Sequence, residues 1–269
     1  MQNKAKQTKP VQLVRKPIIP GSWHGRDAWK LALKRMLSFI GITLLYVIAG
    51  ALLSFNSLWA RVAMAVLIVG GTLYYQVGVG MSRGQSDAAF GEILYSRRES
   101  GKNVPASECE RSFHRFKGLF AVLVGCLPFV LFAIVFACVT EKTVYRLGTL
   151  PSWTESLMRQ TEFGTGLAYY AHQSGVSAVD VMRIIDRAMI MPFVNVAISF
   201  GADATLLVER LSPLLILITP LGYGIGYMQG LNERARINTG IKMGDDKKKR
   251  REKKARKLRQ RSKAPERLI

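Results

Sequence analysis

Histidine and cysteine are scarce, three of each in 269 residues, and neither type is grouped. Cys126 and Cys138 fall inside one apolar run and Cys109 in the charged segment before it, which suits neither a metal spacing nor a disulfide framework. His24, His114 and His172 are scattered, and no His-Glu-x-x-His or clustered acid pair occurs. No catalytic residue, metal ligand or cofactor is therefore expected. Acids are few as well: 18 Asp and Glu stand against 39 Lys and Arg, a net charge of +21. The first 36 residues are mostly polar and hold no short apolar region of the kind a cleaved signal peptide carries, so the N-terminus is expected to be retained.

What is abundant is apolar sequence in long blocks. Leu37 to Phe55, Val62 to Gly80, Gly118 to Thr140 and Leu211 to Gly230 hold no charged residue. At about 1.5 Å per helical residue, each comes close to crossing a hydrocarbon core of roughly 30 Å. The expected fold is all-α, a polytopic transmembrane helical bundle of about four spans plus interfacial or re-entrant helices. Pro213 and Pro220 are expected to bend the last span.

Lys and Arg accumulate on the cytoplasmic side of membrane proteins, so segment charges read the topology. Residues 1–36 carry nine basic residues and one Asp, net +8, and residues 231–269 carry sixteen basic and five acidic, net +11. Both termini are therefore expected to be cytoplasmic, at the cell membrane. The organisation that follows is a basic arm with an amphipathic helix (1–36), a first transmembrane hairpin (37–80), a cytoplasmic loop (81–117) and a third span (118–140). An outer helical segment (141–210), a fourth span (211–230) and a polybasic tail (231–269) complete it. In the arm, Asp27 reads as the cap of a helix with Trp29, Leu33 and Met36 on one face, after which the chain turns into the first span. In the loop, a short helix is expected from Asp87 to Arg98, and Ser107 with Glu110 reads as a capping box for a helix running into the third span.

Ala188 to Arg210 is apolar enough to suggest a fifth crossing, but it would put the basic tail outside. It also contains Pro192, Gly201 and Asp203, so a re-entrant or outer-face segment is expected. Before it, Ser177 and Asp180 form a capping-box pattern opening an amphipathic helix that sorts Asp180, Arg183 and Arg187 from Val181, Ile184, Ile185 and Met189. Asn195, Ser199 and Asp203 recur every four residues, with Arg210 beyond them. On a continuous helix they would form a stripe, either a polar path for a substrate or the wet side of a surface helix. Arg61, beside Trp59, reads as snorkelling to headgroups. Trp153, Phe163, Tyr169 and Tyr170 read as an interfacial belt.

Glycine supplies the most specific pattern. Gly78, Gly80 and Gly84 repeat the spacing of Gly224, Gly226 and Gly230, one residue longer than a dinucleotide-binding loop, and both sets end a span rather than follow a strand. On a helix, Gly222, Gly226 and Gly230 make a smooth ridge where another helix can approach closely. The helix-packing residues expected are thus Gly78, Gly80, Gly84, Gly222, Gly226 and Gly230. At an offset of 146 residues, Asp87 and Ala89 also face Glu233 and Ala235. That is either a parallel repeat of two hairpins or a chance match of glycine-rich helix ends.

The tail holds Lys247, Lys248, Lys249, Arg250, Arg251, Lys253, Lys254, Arg256, Lys257, Arg259 and Arg261, and is expected to be disordered or an exposed helix. These side chains suit anionic lipid headgroups, or RNA phosphates such as those of ribosomal RNA, without sequence-specific nucleic-acid recognition. The expected function is a non-enzymatic accessory or scaffold protein whose glycine-faced helices pack together, against a membrane-protein partner or in a homo-oligomer. A transporter or insertase-like protein with a ribosome-contacting tail is the alternative.

Overall fold

The computed structural model describes residues 13–52, 57–141, 157 and 177–262, and the side chains of all these except residues 52 and 259–262. Among them every regular element is helical: α1 Arg26–Leu52, α2 Leu58–Glu99, α3 Ala106–Cys109, α4 Lys117–Val139, α5 Ala178–Met189, α6 Met191–Ala197, α7 Ala202–Arg210 and α8 Ser212–Ser262, with a 3-10 turn Ile198–Phe200. Four helices, α1, α2, α4 and α8, are long and apolar enough to cross a membrane. The fold is an all-α helical bundle compatible with a multi-pass membrane protein. Leu37, Leu44, Ile48, Val66, Leu67, Leu127, Leu131 and Leu214 are exposed on these helices, as lipid-facing side chains would be.

Helix ends differ from the sequence expectation in several places. No helix begins at Asp87: α2 runs unbroken for 42 residues to Glu99, and positive φ first occurs at Gly101. Likewise α1 passes from the basic arm into the first span without a turn, because a change of composition does not interrupt backbone hydrogen bonding. Asp27 lies in the first turn of α1 rather than capping it, and Gly25 O accepts from the Ala28 N–H at 2.9 Å. Trp29 and Leu33 are exposed. The proposed Ser107 box also fails: α3 has Pro105 at its N-cap with no side-chain cap, and the Glu110 carboxylate accepts from the Arg26 N–H at 2.9 Å. Pro213 occupies the first turn of α8, where a missing N–H costs nothing, and the helix continues through Pro220. The tail takes the exposed-helix alternative, as the last part of the 51-residue α8.

The chain forms two compact units. One comprises residues 30–76 and 121–222. Here the Phe39 and Phe129 rings lie 4.6 Å apart, and Tyr46 shares its hydroxyl with Thr72 at 3.2 Å and Thr219 at 2.7 Å. The capping box of α5 forms as the sequence indicates, with Ser177 and Asp180 each accepting from backbone N–H groups. Its Val181, Ile184 and Ile185 face outward while Asp186 and Met189 are buried. An apolar face turned outward is what a helix at a lipid interface requires. None of the pieces between Met191 and Arg210 is long enough to span a bilayer.

The other unit comprises residues 1–29, 77–120 and 223–269. Its extended segment before α1 is tied to the helices: Val14 donates to Thr239 Oγ1 at 2.8 Å, Ile19 to Gly91 O at 3.3 Å and Gly21 to Phe113 O at 3.0 Å.

Candidate functional site

The two glycine clusters meet. In the unit of residues 77–120 and 223–269, a Cβ added to Gly80 would strike the backbone of Tyr223 and Tyr227, and one added to Gly84 would strike Tyr227 O and lie 3.2 Å from Gly230 Cα. In return, a Cβ on Gly226 would strike Val77 O, and one on Gly230 the backbone of Gly84 and Gln85. Residue numbers rise together on both sides, so α2 and α8 run parallel here with backbones in contact, a geometry only glycine permits. Gly84 meets Gly230, and Asn238 Nδ2 donates to Glu92 Oε1 at 2.6 Å, both pairs 146 residues apart. The register of the crossing is thus the offset at which the sequence matches itself.

Two of the expected glycines behave otherwise. Among the described residues Gly78 has nothing within 4 Å of an added Cβ, while its counterpart Gly224 lies against Leu119. Gly222 is buried but belongs to the other unit. Nor do the matching acids share an environment: Asp87 is buried, whereas Glu233 is partly exposed and pairs with Arg236 at 3.1 Å.

Beside the seam lies a buried ionic cluster. Lys117, fully buried, places its ammonium 2.6 Å from Asp27 Oδ2 and 3.3 Å from Asp87 Oδ2. The ammonium also donates to the carbonyls of Glu110, Arg111 and Ser112 at 3.1, 3.2 and 3.4 Å. Arg83 pairs with Asp87 Oδ1 at 3.1 Å, and the Tyr227 hydroxyl donates to Asp87 Oδ2 at 2.7 Å. These contacts explain why no helix runs from Ser107 into the third span. Such a helix would use the carbonyls of residues 110–112 internally, and here they solvate the lysine. Tyr227 belongs to both features, because its ring also covers Gly118 and stacks on Phe113 at 5.4 Å. Two turns further along, Arg234 grips Glu92 Oε2 through Nε at 3.0 Å and a terminal nitrogen at 2.8 Å.

In the unit of residues 30–76 and 121–222, Glu209, almost fully buried, accepts from Thr140 Oγ1 at 2.8 Å and from Arg187 Nε at 2.7 Å, with Arg183 Nε at 3.4 Å. Asp186 is sealed nearby without a well-formed hydrogen bond. Burial pushes its carboxyl up to about 7; Ser212 and Arg187 oppose the shift and Glu209 adds to it.

The polar stripe is not on one helix. Asn195 lies on α6, Ser199 in the 3-10 turn, and Asp203 and Arg210 on α7, because Gly201 at φ 97 breaks the run. A cavity of about 220 Å³ gathers Asn195 with Arg61 and Gly50, and Arg61 donates to Ser199 Oγ at 3.0 Å, whereas Asp203 and Arg210 are exposed. In the tail, Lys247 to Lys257 are exposed around α8; the Arg259 and Arg261 side chains fall outside the described residues. So do His172, Trp153, Phe163, Tyr169 and Tyr170. Among the described residues no three His, Cys, Asp or Glu side chains gather as a metal site would need.

Lys117, Glu92, Arg234 and Glu209 were not singled out from sequence, and Asp27 and Asp87 were read as a helix cap and as part of the internal match rather than as members of an ionic cluster. Only the i, i+4 spacing of Arg83 and Asp87 offered a local signal. No protein-family model, curated protein or solved structure matches the chain.

Proposed function

We propose that this is a non-enzymatic accessory or scaffold protein of the cell membrane, with both termini cytoplasmic, in which a glycine-seamed helix pair supports a polybasic helix that binds anionic headgroups. The observation that carries this reading is the continuity of α8, which joins the seam at Gly226 and Gly230 to the exposed charges from Lys247 onward in one helix. Each Lys or Arg near an anionic leaflet contributes about 1 kcal/mol, so even a few contacts hold the helix there. Among the described residues Asp203 and Arg210 do not line the Arg61 cavity, which weighs against transport. The in-register meeting of the two glycine clusters supports a duplicated hairpin.

The test is trypsin cleavage of the tail with the full chain in nanodiscs of anionic or zwitterionic lipid. Cleavage several-fold slower in the anionic discs, restored by salt at roughly a Debye length of 3 Å, is the expected result. Equal rates in both lipids would overturn the lipid reading. One observation favours a second reading. A helix keeping the axis of its span carries Lys247 about 26 Å beyond Gly230, further than a Debye length of about 8 Å. Such a rod suits a cytoplasmic polyanion such as ribosomal RNA. Ribosome co-sedimentation that vanishes on deletion of residues 245–269 supports that reading, and none with the intact chain removes it.

A further inference from the structure

Within the unit of residues 30–76 and 121–222, the Arg61 cavity adjoins a second, larger space. The second is an almost wholly apolar groove of about 660 Å³, walled by Val62, Val66 and Gly70 of α2 and by Phe193, Phe200 and Leu207 of the α6–α7 region. The two spaces share Ala65, and their walls alternate along the chain: Arg61 and Asn195 line one while Val62 and Val196 line the other. A chamber with a polar corner at Arg61 and Asn195 thus lies beside an apolar trough, with Ala65 between them.

The chemistry of each part is distinct. Arg61 offers a planar guanidinium fork suited to phosphate oxygens, held toward the chamber by its bond to Ser199 at 3.0 Å, and Asn195 adds an amide. The trough has the volume of a small-molecule site, roughly 300–1,000 Å³, and offers no polar partner, so water gains nothing by filling it. Phe200 in its wall is 63% exposed, and Trp59, two residues before Arg61 on α2, is 81% exposed, as a tryptophan at headgroup depth would be.

We propose that this pair of spaces is a binding site for one anionic phospholipid, with its phosphate on Arg61 and an acyl chain in the trough beside Gly70. The site rests on the membrane reading above but not on the tail, so its failure and that of the tail contact are separately observed. Arg61 is then a headgroup ligand of a specific lipid rather than a residue that only snorkels.

The experiment is native mass spectrometry of the full chain released from detergent with phosphatidylglycerol or the phosphate-free lipid diacylglycerol added. The wild type is expected to retain phosphatidylglycerol about tenfold better, the worth of one charge-assisted hydrogen bond. Arg61→Gln should remove that preference. Gly70→Leu, which adds a side chain where nothing lies within 4 Å of the Cβ and so leaves folding intact, should reduce retention of both lipids. Equal retention of the two lipids by the wild type, retention of neither, or a preference unchanged in Arg61→Gln would overturn the proposal. A dimer that dissociates on Gly70→Leu would assign the trough to a second copy of the chain and overturn it equally.

Discussion

Replacing Lys117 by Met should be among the most destabilising single changes in the chain. Its ammonium is fully buried against two carboxylates and three carbonyls, so removal strands Asp87, itself 1% exposed, with only Arg83 and the Tyr227 hydroxyl. Breaking a buried pair from one side costs about 3–5 kcal/mol. For a chain of this size each kcal/mol lowers Tm by about 2–4 °C, so a fall of about 10 °C is expected. The assay is thermal unfolding in detergent followed by a thiol-reactive dye. Cys126 is fully buried and becomes reactive only on unfolding, and replacing Cys109 and Cys138 by Ser removes background labelling. The double variant Lys117→Met with Asp87→Asn removes the stranded charge, and should be more stable than additivity allows by about 2 kcal/mol. Additive effects, or a single-variant fall under about 3 °C, would show that the cluster does not hold these helices.

Other expectations follow from the same structure. Gly226→Leu places a side chain against the backbone of Val77 and should cost at least about 1–3 kcal/mol in the same unfolding assay, whereas Gly78→Leu, with nothing near its Cβ, should be nearly neutral. Asp186 has a folded pKa of about 7 against 3.8 ordinarily, so the folded state holds the proton more tightly. Its contribution to stability is therefore greatest at low pH and declines as pH rises from about 4 to 7. Wild-type Tm should be lower at pH 8 than at pH 5; Asp186→Asn should flatten that slope and raise Tm at pH 8, and an unchanged slope would place the titration elsewhere.

The four long apolar helices were legible because bilayer thickness imposes a minimum run of apolar residues on any helix able to cross, and the glycine spacing was legible because a helix repeats every three to four residues. Helix ends were not. Nothing between Gly80 and Glu99 breaks a helix, so α2 leaves its apolar run without a signal, and α8 does the same through Lys247 to Lys257. The break before α4 arises from Lys117 drawing three carbonyls, a contact with Asp87 that spans 30 residues and leaves no local pattern. Helical spacing misled at Asn195 to Asp203, since the φ of 97 at Gly201 outweighs the periodicity. The seam joins residues 146 apart, and the internal match hinted at the register without stating that the two ridges would meet each other.

The parallel, in-register pairing of α2 and α8 within one chain is open to a direct test. In a background lacking the native cysteines, Glu92→Cys with Asn238→Cys replaces a pair bonded at 2.6 Å, and a short bis-methanethiosulfonate can bridge them. Glu92→Cys with Lys254→Cys, about 24 Å further along α8, serves as the control. A high-yield crosslink within the monomer is expected for the first pair and none for the second. Equal yields, or crosslinks found only between two chains, would contradict it.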